Sequence, residues 1–266
     1  MEINLIATDL DGTLLTSGKK IAKLTQEALQ KAMARGIKVV PVSGRPLTGV
    51  RPHMETLGLK EDNPLIVYNG AAAETMAGAP LFKHCFDAKQ ASAFFKYAED
   101  AGCQLCFMHE DGYYTMDKIE TPFMKHLASM NFTRYLHVDE IPQDLQYFKA
   151  EYTGTPAQMD QVMEEVPPVL GDKFDILRTG GQIIECTLNT TSKGKAVAEL
   201  AGRLGIAPEQ VMVFGDHRND LSMFTTPGFY KVAMGNAVSE LKEKADFVTR
   251  TNDNNGIAYA VDELVL

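Results

Sequence analysis

Short apolar runs that end at polar residues recur along this sequence, and they limit its possible folds more than any other feature. The runs cover residues 3–8 before Asp9, 37–42 before Ser43, 65–68 before Asn69, and 211–214 before Gly215 and Asp216. Segments with helical spacing lie between them. Near-continuous apolar strands that alternate with helices are typical of a parallel sheet covered on both faces. The pattern therefore predicts an α/β fold with a doubly wound, Rossmann-like core.

Two helices of this core can be predicted with their apolar faces. The first ends at Gly36 and has on its apolar face Leu24, Ala28, Leu29, Ala32 and Met33. The second is capped by Ser192, ends at Gly205 and has on its apolar face Val197, Leu200, Ala201 and Leu204. The spacing of three and four residues is that of one face of an α-helix, and glycine is a common helix terminator.

The middle of the chain has a different pattern. Between residues 83 and 189 we predict helices at 88–101, 121–130 and 156–165, a strand around 148–152, and a hairpin that turns at Gly180 and Gly181. The doubly wound pattern resumes at Ser192. We therefore expect a core domain of residues 1–82 and 190–266, with an α+β domain of residues 83–189 inserted into it. Both have ordinary domain sizes.

Acidic residues follow the predicted strands. Asp9 and Asp11 follow the first strand, and Asp216 and Asp220 follow the last. In an open parallel sheet, ligands bind beyond the carboxyl ends of the strands, so these distant residues should converge there. Carboxylates near glycines suit a hard, oxygen-binding cation such as Mg²⁺, whose coordination is completed by substrate phosphate and water.

Lysines at the start of the helix after Ser192 indicate an anion. Lys193 and Lys195 lie in the first helical turn, where a positive charge opposes the helix dipole unless an anion is bound nearby. Phosphate would be such an anion. A nucleotide-binding P-loop is excluded, because Asn189 and Ala196 occupy positions at which that motif requires Gly and Ser or Thr.

The charge of the chain excludes several classes of partner. Asp and Glu outnumber Lys and Arg by 35 to 26, and the net charge is −9. Binding to a phosphate backbone depends on clustered cations, so neither nucleic acid nor an anionic membrane surface is an expected partner. No apolar run approaches the ~18 residues that span a bilayer, and residues 1–5 do not resemble a secretion signal. The protein is expected to be soluble and cytoplasmic.

The four cysteines do not indicate a metal site. Only Cys103 and Cys106 are close together, and residues three apart on a strand point to opposite faces. A tetrahedral zinc site would need two further ligands at motif spacing. Buried structural thiols are the preferred interpretation.

The polar motifs, taken in order, resemble those of the haloacid dehalogenase superfamily of phosphatases, and within it the Cof-type, YidA-like sugar-phosphate phosphatases. They are Asp9-Leu10-Asp11-Gly12-Thr13, Ser43-Gly44-Arg45-Pro46, Asn69-Gly70, Lys193-Gly194 and Gly215-Asp216-His217-Arg218-Asn219-Asp220. The resemblance covers both halves of the core, and the insert has the size and position of that group's α/β cap. It implies that the insert acts as a cap that sets substrate specificity.

The resemblance also implies a role for each matching residue. Asp9 would be the nucleophile that forms an aspartyl-phosphate, and Asp11 would begin protonated and act as general acid and then base. Lys193 would neutralise charge at the nucleophile and phosphate. Mg²⁺ would be bound by the Asp9 carboxylate, the Asp11 backbone carbonyl and Asp216, with Asp220 in or next to this shell. The residues assigned to phosphate or substrate binding are Ser43, Gly44, Arg45, Asn69 and Asn219.

Several alternatives remain open at this level. Arg45 could contact substrate or could be a structural partner for a nearby carboxylate. The implied activity is Mg²⁺-dependent hydrolysis of small phosphomonoesters, such as sugar phosphates. A phosphotransferase or phosphosugar mutase of the same superfamily would have the same motifs, and a non-enzymatic regulatory protein with this fold is a third alternative. The partner would be a small phosphorylated metabolite.

Overall fold

The computed structural model describes residues 2–118 and 120–266. The chain forms two compact units, one made of Met1–Phe82 and Ser192–Leu266, the other of Lys83–Thr191. The predicted insert, 83–189, ends two residues before the second unit does. Each unit is built on a β-sheet of its own.

Strands and helices follow one another along the chain in three stretches. The first contains β1 (Leu5–Asp9), α1 (Lys23–Ala34), β2 (Lys38–Val42), α2 (Leu47–Leu57), β3 (Pro64–Val67), β4 (Ala72–Thr75) and β5 (Pro80–Lys83). The second contains β6 (Phe86–Asp87), α3 (Ala88–Ala91), α4 (Phe95–Ala101), β7 (Gln104–His109), β8 (Gly112–Thr115), α5 (Pro122–Met130), β9 (Tyr135–His137), β10 (Gln146–Tyr147), β11 (Lys149–Thr153), α6 (Pro156–Glu165), α7 (Pro167–Leu170), β12 (Phe174–Gly180) and β13 (Ile183–Leu188). The third contains α8 (Lys193–Arg203), β14 (Val211–Gly215), α9 (Leu221–Thr225), β15 (Tyr230–Ala233), α10 (Ser239–Lys242), β16 (Phe247–Val248) and α11 (Gly256–Leu264). None of the helices described is both long enough and apolar enough to cross a membrane.

The sheet of the first unit has the strand order β16-β15-β14-β1-β2-β3-β4-β5. Neighbouring strands from β16 to β3 run parallel, whereas β3 and β4 run antiparallel. All five residues of β1 are buried, as in a central strand whose two faces are both covered. The predicted α/β fold with a parallel core sheet is confirmed. The sequence pattern did not identify β4, β5, β15 or β16.

The strand order explains why distant polar residues meet. Since β14, β1, β2 and β3 are parallel neighbours, their carboxyl ends lie along one edge of the sheet. Asp9 ends β1, Ser43 follows β2, and Gly215 ends β14. The fold therefore brings the predicted motifs to one place.

The apolar face of α1 differs from the prediction at Leu24 and at Met33, which is only partly buried. Its buried residues are Thr25, Ala28, Leu29 and Ala32, whereas the Leu24 side chain is 57% exposed. Each helical residue turns by about 100°, so Leu24 lies about a quarter turn from the centre of the buried stripe. Thr25 occupies the buried position instead. In α8, the predicted Leu204 lies just beyond the last helical residue and is 39% exposed.

The sheet of the second unit has the order β12-β13-β11-β7-β8-β9. Its neighbours are antiparallel except β8 and β9, which run parallel. The core of this unit is rich in aromatic rings, with Phe94 and Phe174 in an edge-to-face contact at 4.8 Å between centroids. The long helix predicted at 88–101 is interrupted by a 3₁₀ turn at Ser92–Phe94. The turn carries Phe94, which is fully buried in this core.

A buried charge cluster lies on β11 and β13. Lys149 forms ion pairs with Glu151 and Glu185, and the Lys149 and Glu151 side chains are 3% and 1% exposed. Burial alone would lower the pKa of Lys149, but the charges of Glu151 and Glu185 raise it above its ordinary value. The ammonium thus offsets the cost of burying two carboxylates in the sheet.

All four cysteines are free thiols. Cys106 and Cys186 are buried, and Cys85 and Cys103 are partly buried. Burial raises the pKa of Cys103 to about 11, so this thiol is protonated at neutral pH. The interpretation as buried structural thiols therefore holds for Cys106 and Cys186, whereas Cys85 and Cys103 are only partly buried.

Candidate active site

A buried lysine joins the end of β1 to the start of α8. Lys193 Nζ lies 2.5 Å from Asp9 Oδ1 and 2.6 Å from Asp220 Oδ1, and the Lys193 side chain has no exposed surface. Although burial alone would lower the pKa of Lys193, the charges of Asp220 and Asp9 raise it above its ordinary value. Lys193 is therefore a fixed ammonium. The sequence predicted a phosphate near this lysine. In the structure, the anionic groups beside it are the carboxylates of Asp9 and Asp220.

The loop after β14 is wound around Asp220. The fully buried Asp220 side chain accepts hydrogen bonds at Oδ2 from the backbone N–H groups of Asp216 (2.9 Å) and His217 (3.1 Å). A Cβ on Gly215 would lie 2.7 Å from the Asp220 Cβ, so the loop can close this tightly only around glycine. Asp220 thus anchors both the loop and Lys193.

Asp216 is held from two sides. Thr13 Oγ1 donates to Asp216 Oδ1 at 2.7 Å, and Asn236 Nδ2 lies 3.4 Å from Asp216 Oδ2. Burial raises the pKa of Asp216 to about 6, with the charge of Asp220 acting in the same direction and the Thr13 hydrogen bond opposing it. The pKa of Asp9 is also well above its ordinary value, because burial and the charges of Asp220 and Asp216 outweigh Lys193. A further positive charge nearby would stabilise the ionised forms of Asp9 and Asp216.

The acidic cluster formed by Asp9, Asp216 and Asp220 fits a divalent cation. One carboxylate oxygen from each of the three lies within 4.8 Å of the others. When ionised, three carboxylates with one ammonium leave two negative charges, which is the charge that one dication balances. Gly12 completes the cradle, since a Cβ at that position would collide with the Asp216 carboxylate. Carboxylate oxygens suit a hard divalent cation.

Asp11 forms a separate ion-pair group. Its carboxylate accepts from Arg45 Nε and Nη2, both at 2.7 Å, and from Lys19 Nζ at 2.7 Å. Burial alone would raise the pKa of Asp11, but Arg45 and Lys19 together lower it below its ordinary value. Asp11 is thus ionised in this structure, contrary to the expectation that it begins protonated. Two interpretations of Arg45 were open, as a substrate contact or as the partner of a carboxylate. In this structure it is the partner of the Asp11 carboxylate.

The loops after β2 and β3 are joined by backbone hydrogen bonds. Asn69 N donates to Ser43 O at 2.9 Å, and Ser43 Oγ accepts from Arg45 N at 3.1 Å. A Cβ on Gly44 would lie 2.8 Å from Asn69 Oδ1, so the two loops touch at Gly44. Asn219 lies in the 3₁₀ turn that ends at Asp220. The residues assigned by resemblance therefore lie at the end of β1, at the start of α8 and on the loops and turns at this edge of the core sheet.

The close contact of α8 with α9 holds Lys193 in place. Gly194 N donates to Ser222 Oγ at 3.0 Å, and a Cβ on Gly194 would collide with the Ser222 carbonyl oxygen. We expect Gly194→Ala to lower the free energy of unfolding by about 1–3 kcal/mol, because the backbone must move to admit the methyl group. Urea unfolding measures this effect.

Gly202 in the same helix supplies a matched control. A Cβ there would have no neighbour within 4 Å. Gly202→Ala should therefore raise the free energy of unfolding by about 0.5 kcal/mol through better helix propensity. Equal effects of the two substitutions would contradict the predicted clash at Gly194.

Three residues of the site were not assigned a role from the sequence. They are Thr13, Lys19 and Asn236. Thr13 lies inside the first motif, and Lys19 lies in a tight turn at a φ of 57°. Asn236 follows Gly235 at the end of the apolar run 232–234. This strand-end pattern is the one that marked Asp9 and Asp216, so a fifth run could have revealed Asn236.

Comparisons with known proteins show the family and the fold. A family model described as haloacid dehalogenase-like hydrolase matches residues 6–261. A Bacillus subtilis protein named "Putative phosphatase YxeH" is 31% identical, with 98% of each chain covered. Another from that organism, named 5-amino-6-(5-phospho-D-ribitylamino)uracil phosphatase YwtE, is 29% identical, with 98% of this chain and 97% of the relative covered. The crystal structure of a haloacid dehalogenase-like hydrolase from Bacteroides thetaiotaomicron superposes with a TM-score of 0.88 at 26% identity, covering 99% of this chain and 100% of that one.

Proposed function

Since the chain belongs to the haloacid dehalogenase-like hydrolases, we propose that it is a Mg²⁺-dependent phosphatase that hydrolyses small phosphomonoesters. The observation that carries this proposal is the buried contact of Lys193 with Asp9 and Asp220, with Asp216 completing the acidic cluster. A lysine fixed beside a carboxylate at a strand end provides a nucleophile and a positive charge for a phosphoryl group at the same place.

Asp9 is the proposed nucleophile. Its carboxylate attacks phosphorus, an Asp9 O–P bond forms, and the bond from phosphorus to the leaving oxygen breaks. Water then attacks the phosphorus of the aspartyl-phosphate, which releases inorganic phosphate and restores Asp9. Lys193 stays protonated throughout and stabilises the negative charge that surrounds the transferred group.

Asp11 is the proposed proton donor to the leaving oxygen and the proposed base for the attacking water. Arg45 and Lys19 now bind its carboxylate and keep its pKa low. Donation of a proton therefore requires that Asp11 exchange these partners when substrate binds. Arg45 released in this way can bind a substrate oxygen, which is the role that the resemblance assigns to it.

The acidic cluster is the proposed site of Mg²⁺, held by Asp9 and Asp216 with Asp220 next to it and the Asp11 backbone carbonyl as a further ligand. When bound, the cation supplies positive charge that favours the ionised form of Asp9 and neutralises phosphoryl oxygens. Ser43, Gly44 and Asn69, on the loops after β2 and β3, are proposed to bind the phosphoryl group together with Asn219, in the turn that ends at Asp220.

Sugar phosphates and related polyol phosphates are the proposed substrate class. The relative YwtE is named for a substrate with a phosphorylated ribityl chain, which supports a small phosphorylated polyol as the substrate and the polyol as the leaving group. We propose that the insert unit of Lys83–Thr191 selects among such molecules, as a cap domain does.

Removal of the cation provides the direct test of this function. We expect the purified protein to release inorganic phosphate from at least one member of a panel of sugar and polyol phosphates in the presence of Mg²⁺. A chelator should abolish the release, and added Mg²⁺ should restore it, because the acidic cluster loses its balancing charge without the cation. Product analysis with a hexose phosphate separates the alternatives: inorganic phosphate supports hydrolysis, and an isomeric phosphate indicates a mutase. Undiminished release in chelator would contradict the Mg²⁺ dependence.

A further inference from the structure

Asn236 lies at the junction of three loops of the core unit. Its Nδ2 donates to the Gly12 carbonyl oxygen at 2.8 Å and lies 3.4 Å from Asp216 Oδ2. Its Oδ1 accepts from the backbone N–H of Asn252 at 3.0 Å. One side chain thus connects the loops that follow β1, β14 and β15 with the segment before α11.

The chemistry of these contacts requires an amide. The Nδ2 group has two hydrogens and meets two acceptors, and Oδ1 meets a donor, so the orientation of the amide is determined by its partners. Neither a carboxylate nor a hydroxyl group offers two donors together with a separate acceptor at this position. The Asn236 side chain is exposed at the surface, where an asparagine ordered by three contacts calls for a reason beyond packing.

The two contacts on Asp216 together orient its carboxylate. Thr13 Oγ1 binds Oδ1 from one side, and the Asn236 amide approaches Oδ2 from the other. The same amide holds the Gly12 carbonyl, and Gly12 follows Asp11, whose backbone carbonyl is a proposed ligand. Groups that orient metal ligands in this way commonly change metal affinity 10- to 100-fold when they are removed.

We infer that Asn236 is a positioning residue for the divalent cation, which it serves by orienting the Asp216 carboxylate and the Gly12 backbone. The inference rests on the proposed function, since it concerns the cation proposed there. Asn236 acts through Asp216 and the Gly12 backbone and has no role in the transfer of the phosphoryl group.

A second tether in the same region supplies a matched control. Ser17 N and Ser17 Oγ donate to the Asp253 carboxylate at 2.8 and 2.7 Å. This tether also joins the loop after β1 to the segment before α11, but the described structure has no hydrogen bond from Ser17 to Asp216 or Gly12. Ser17→Ala removes the Oγ contact of this tether and keeps the backbone contact, so it weakens the attachment of the loop without removing an orienting contact from the acidic cluster.

The experiment measures Mg²⁺ binding by isothermal titration calorimetry, without substrate, for the wild-type protein, Asn236→Ala and Ser17→Ala. We expect Asn236→Ala to raise the Mg²⁺ dissociation constant about 10-fold or more, and Ser17→Ala to change it less than about 2-fold. In phosphate-release assays, Asn236→Ala should need correspondingly more Mg²⁺ for half-maximal rate, while kcat at saturating Mg²⁺ stays within about 3-fold of wild type.

The outcomes separate this inference from the proposed function. If wild type binds Mg²⁺ and Asn236→Ala binds it equally well, the inference is wrong and the proposed function stands. Equal weakening in both variants would also overturn it, because the effect would then come from general loosening of the loop. If wild type binds no Mg²⁺, the proposed cation itself is wrong, and the inference fails with it. Circular dichroism establishes that the variants are folded.

Discussion

Asp9→Asn is expected to abolish phosphate release while the protein stays folded. The substitution replaces the proposed nucleophile with a neutral amide of the same size. Loss of a nucleophile that acts with fixed neighbours commonly costs about four orders of magnitude or more in kcat. A discontinuous phosphate assay over long incubations, on whichever substrate the wild type hydrolyses best, measures the loss.

The stability of this variant should not fall. Burial and the charges of Asp220 and Asp216 raise the pKa of Asp9 well above its ordinary value, so the ionised form is held at a cost in this fold. An amide has no such cost, and Lys193 keeps its contact with Asp220 at 2.6 Å. We therefore expect a Tm equal to or higher than that of wild type, as is common when a strained active-site group is removed.

Asp62→Asn is a suitable control for Asp9→Asn, since it is the same chemical change at an exposed loop position. It should leave both activity and Tm unchanged. Appreciable phosphate release by Asp9→Asn would contradict the proposed nucleophile. A large decrease in Tm would mean instead that the Asp9 carboxylate contributes to the fold.

Lys193→Met is expected to have the opposite effect on stability. The side chain is fully buried between Asp9 and Asp220, and methionine fills a similar volume without charge. Loss of the lysine leaves two buried carboxylates without their shared ammonium. Removing one partner of a buried ion pair costs about 3–5 kcal/mol, because the remaining charge stays buried and uncompensated. The free energy of unfolding, from urea titration at neutral pH, should fall by about this amount, and phosphate release should be lost.

Lys195→Met provides the comparison. Lys195 lies two positions further along the first turn of α8, and its side chain is exposed. We expect this change to alter the free energy of unfolding by less than about 1 kcal/mol, as is usual at surface positions. Similar decreases in the free energy of unfolding for both variants would contradict a stabilising contribution specific to the buried ion pairs of Lys193.

The core fold could be predicted from local patterns because the same physical constraint acts on each strand of the core. A strand covered on both faces must be apolar along its whole length, and its end must become polar where solvent and ligand begin. Residues 3–8 and 211–214 follow this rule, and β1 and β14 lie side by side. The apolar run 232–234 follows this rule too, so Asn236, which comes shortly after it, could have been assigned to the site from the sequence.

Other features depend on contacts between distant parts of the chain. Leu24 has the spacing of a buried position, but the packing of α1 buries Thr25 instead. The helix predicted at 88–101 is interrupted where Phe94 enters the aromatic core. In both cases, the outcome depends on the shape of the surface against which the helix packs, and the spacing of apolar residues alone does not contain that shape.

The sequence by itself determined the parallel core and the convergence of Asp9 and Asp216 at its edge, because strand polarity and strand ends are local properties. The tertiary structure alone decided how these charges are paired. Arg45 binds Asp11, Lys193 binds Asp9 and Asp220, and Asn236 reaches Asp216. Pairing depends on distances of about 3 Å between side chains that are far apart in the chain. Those distances, together with burial, shift the pKa values of Asp9, Asp11, Asp216 and Lys193 from their ordinary values.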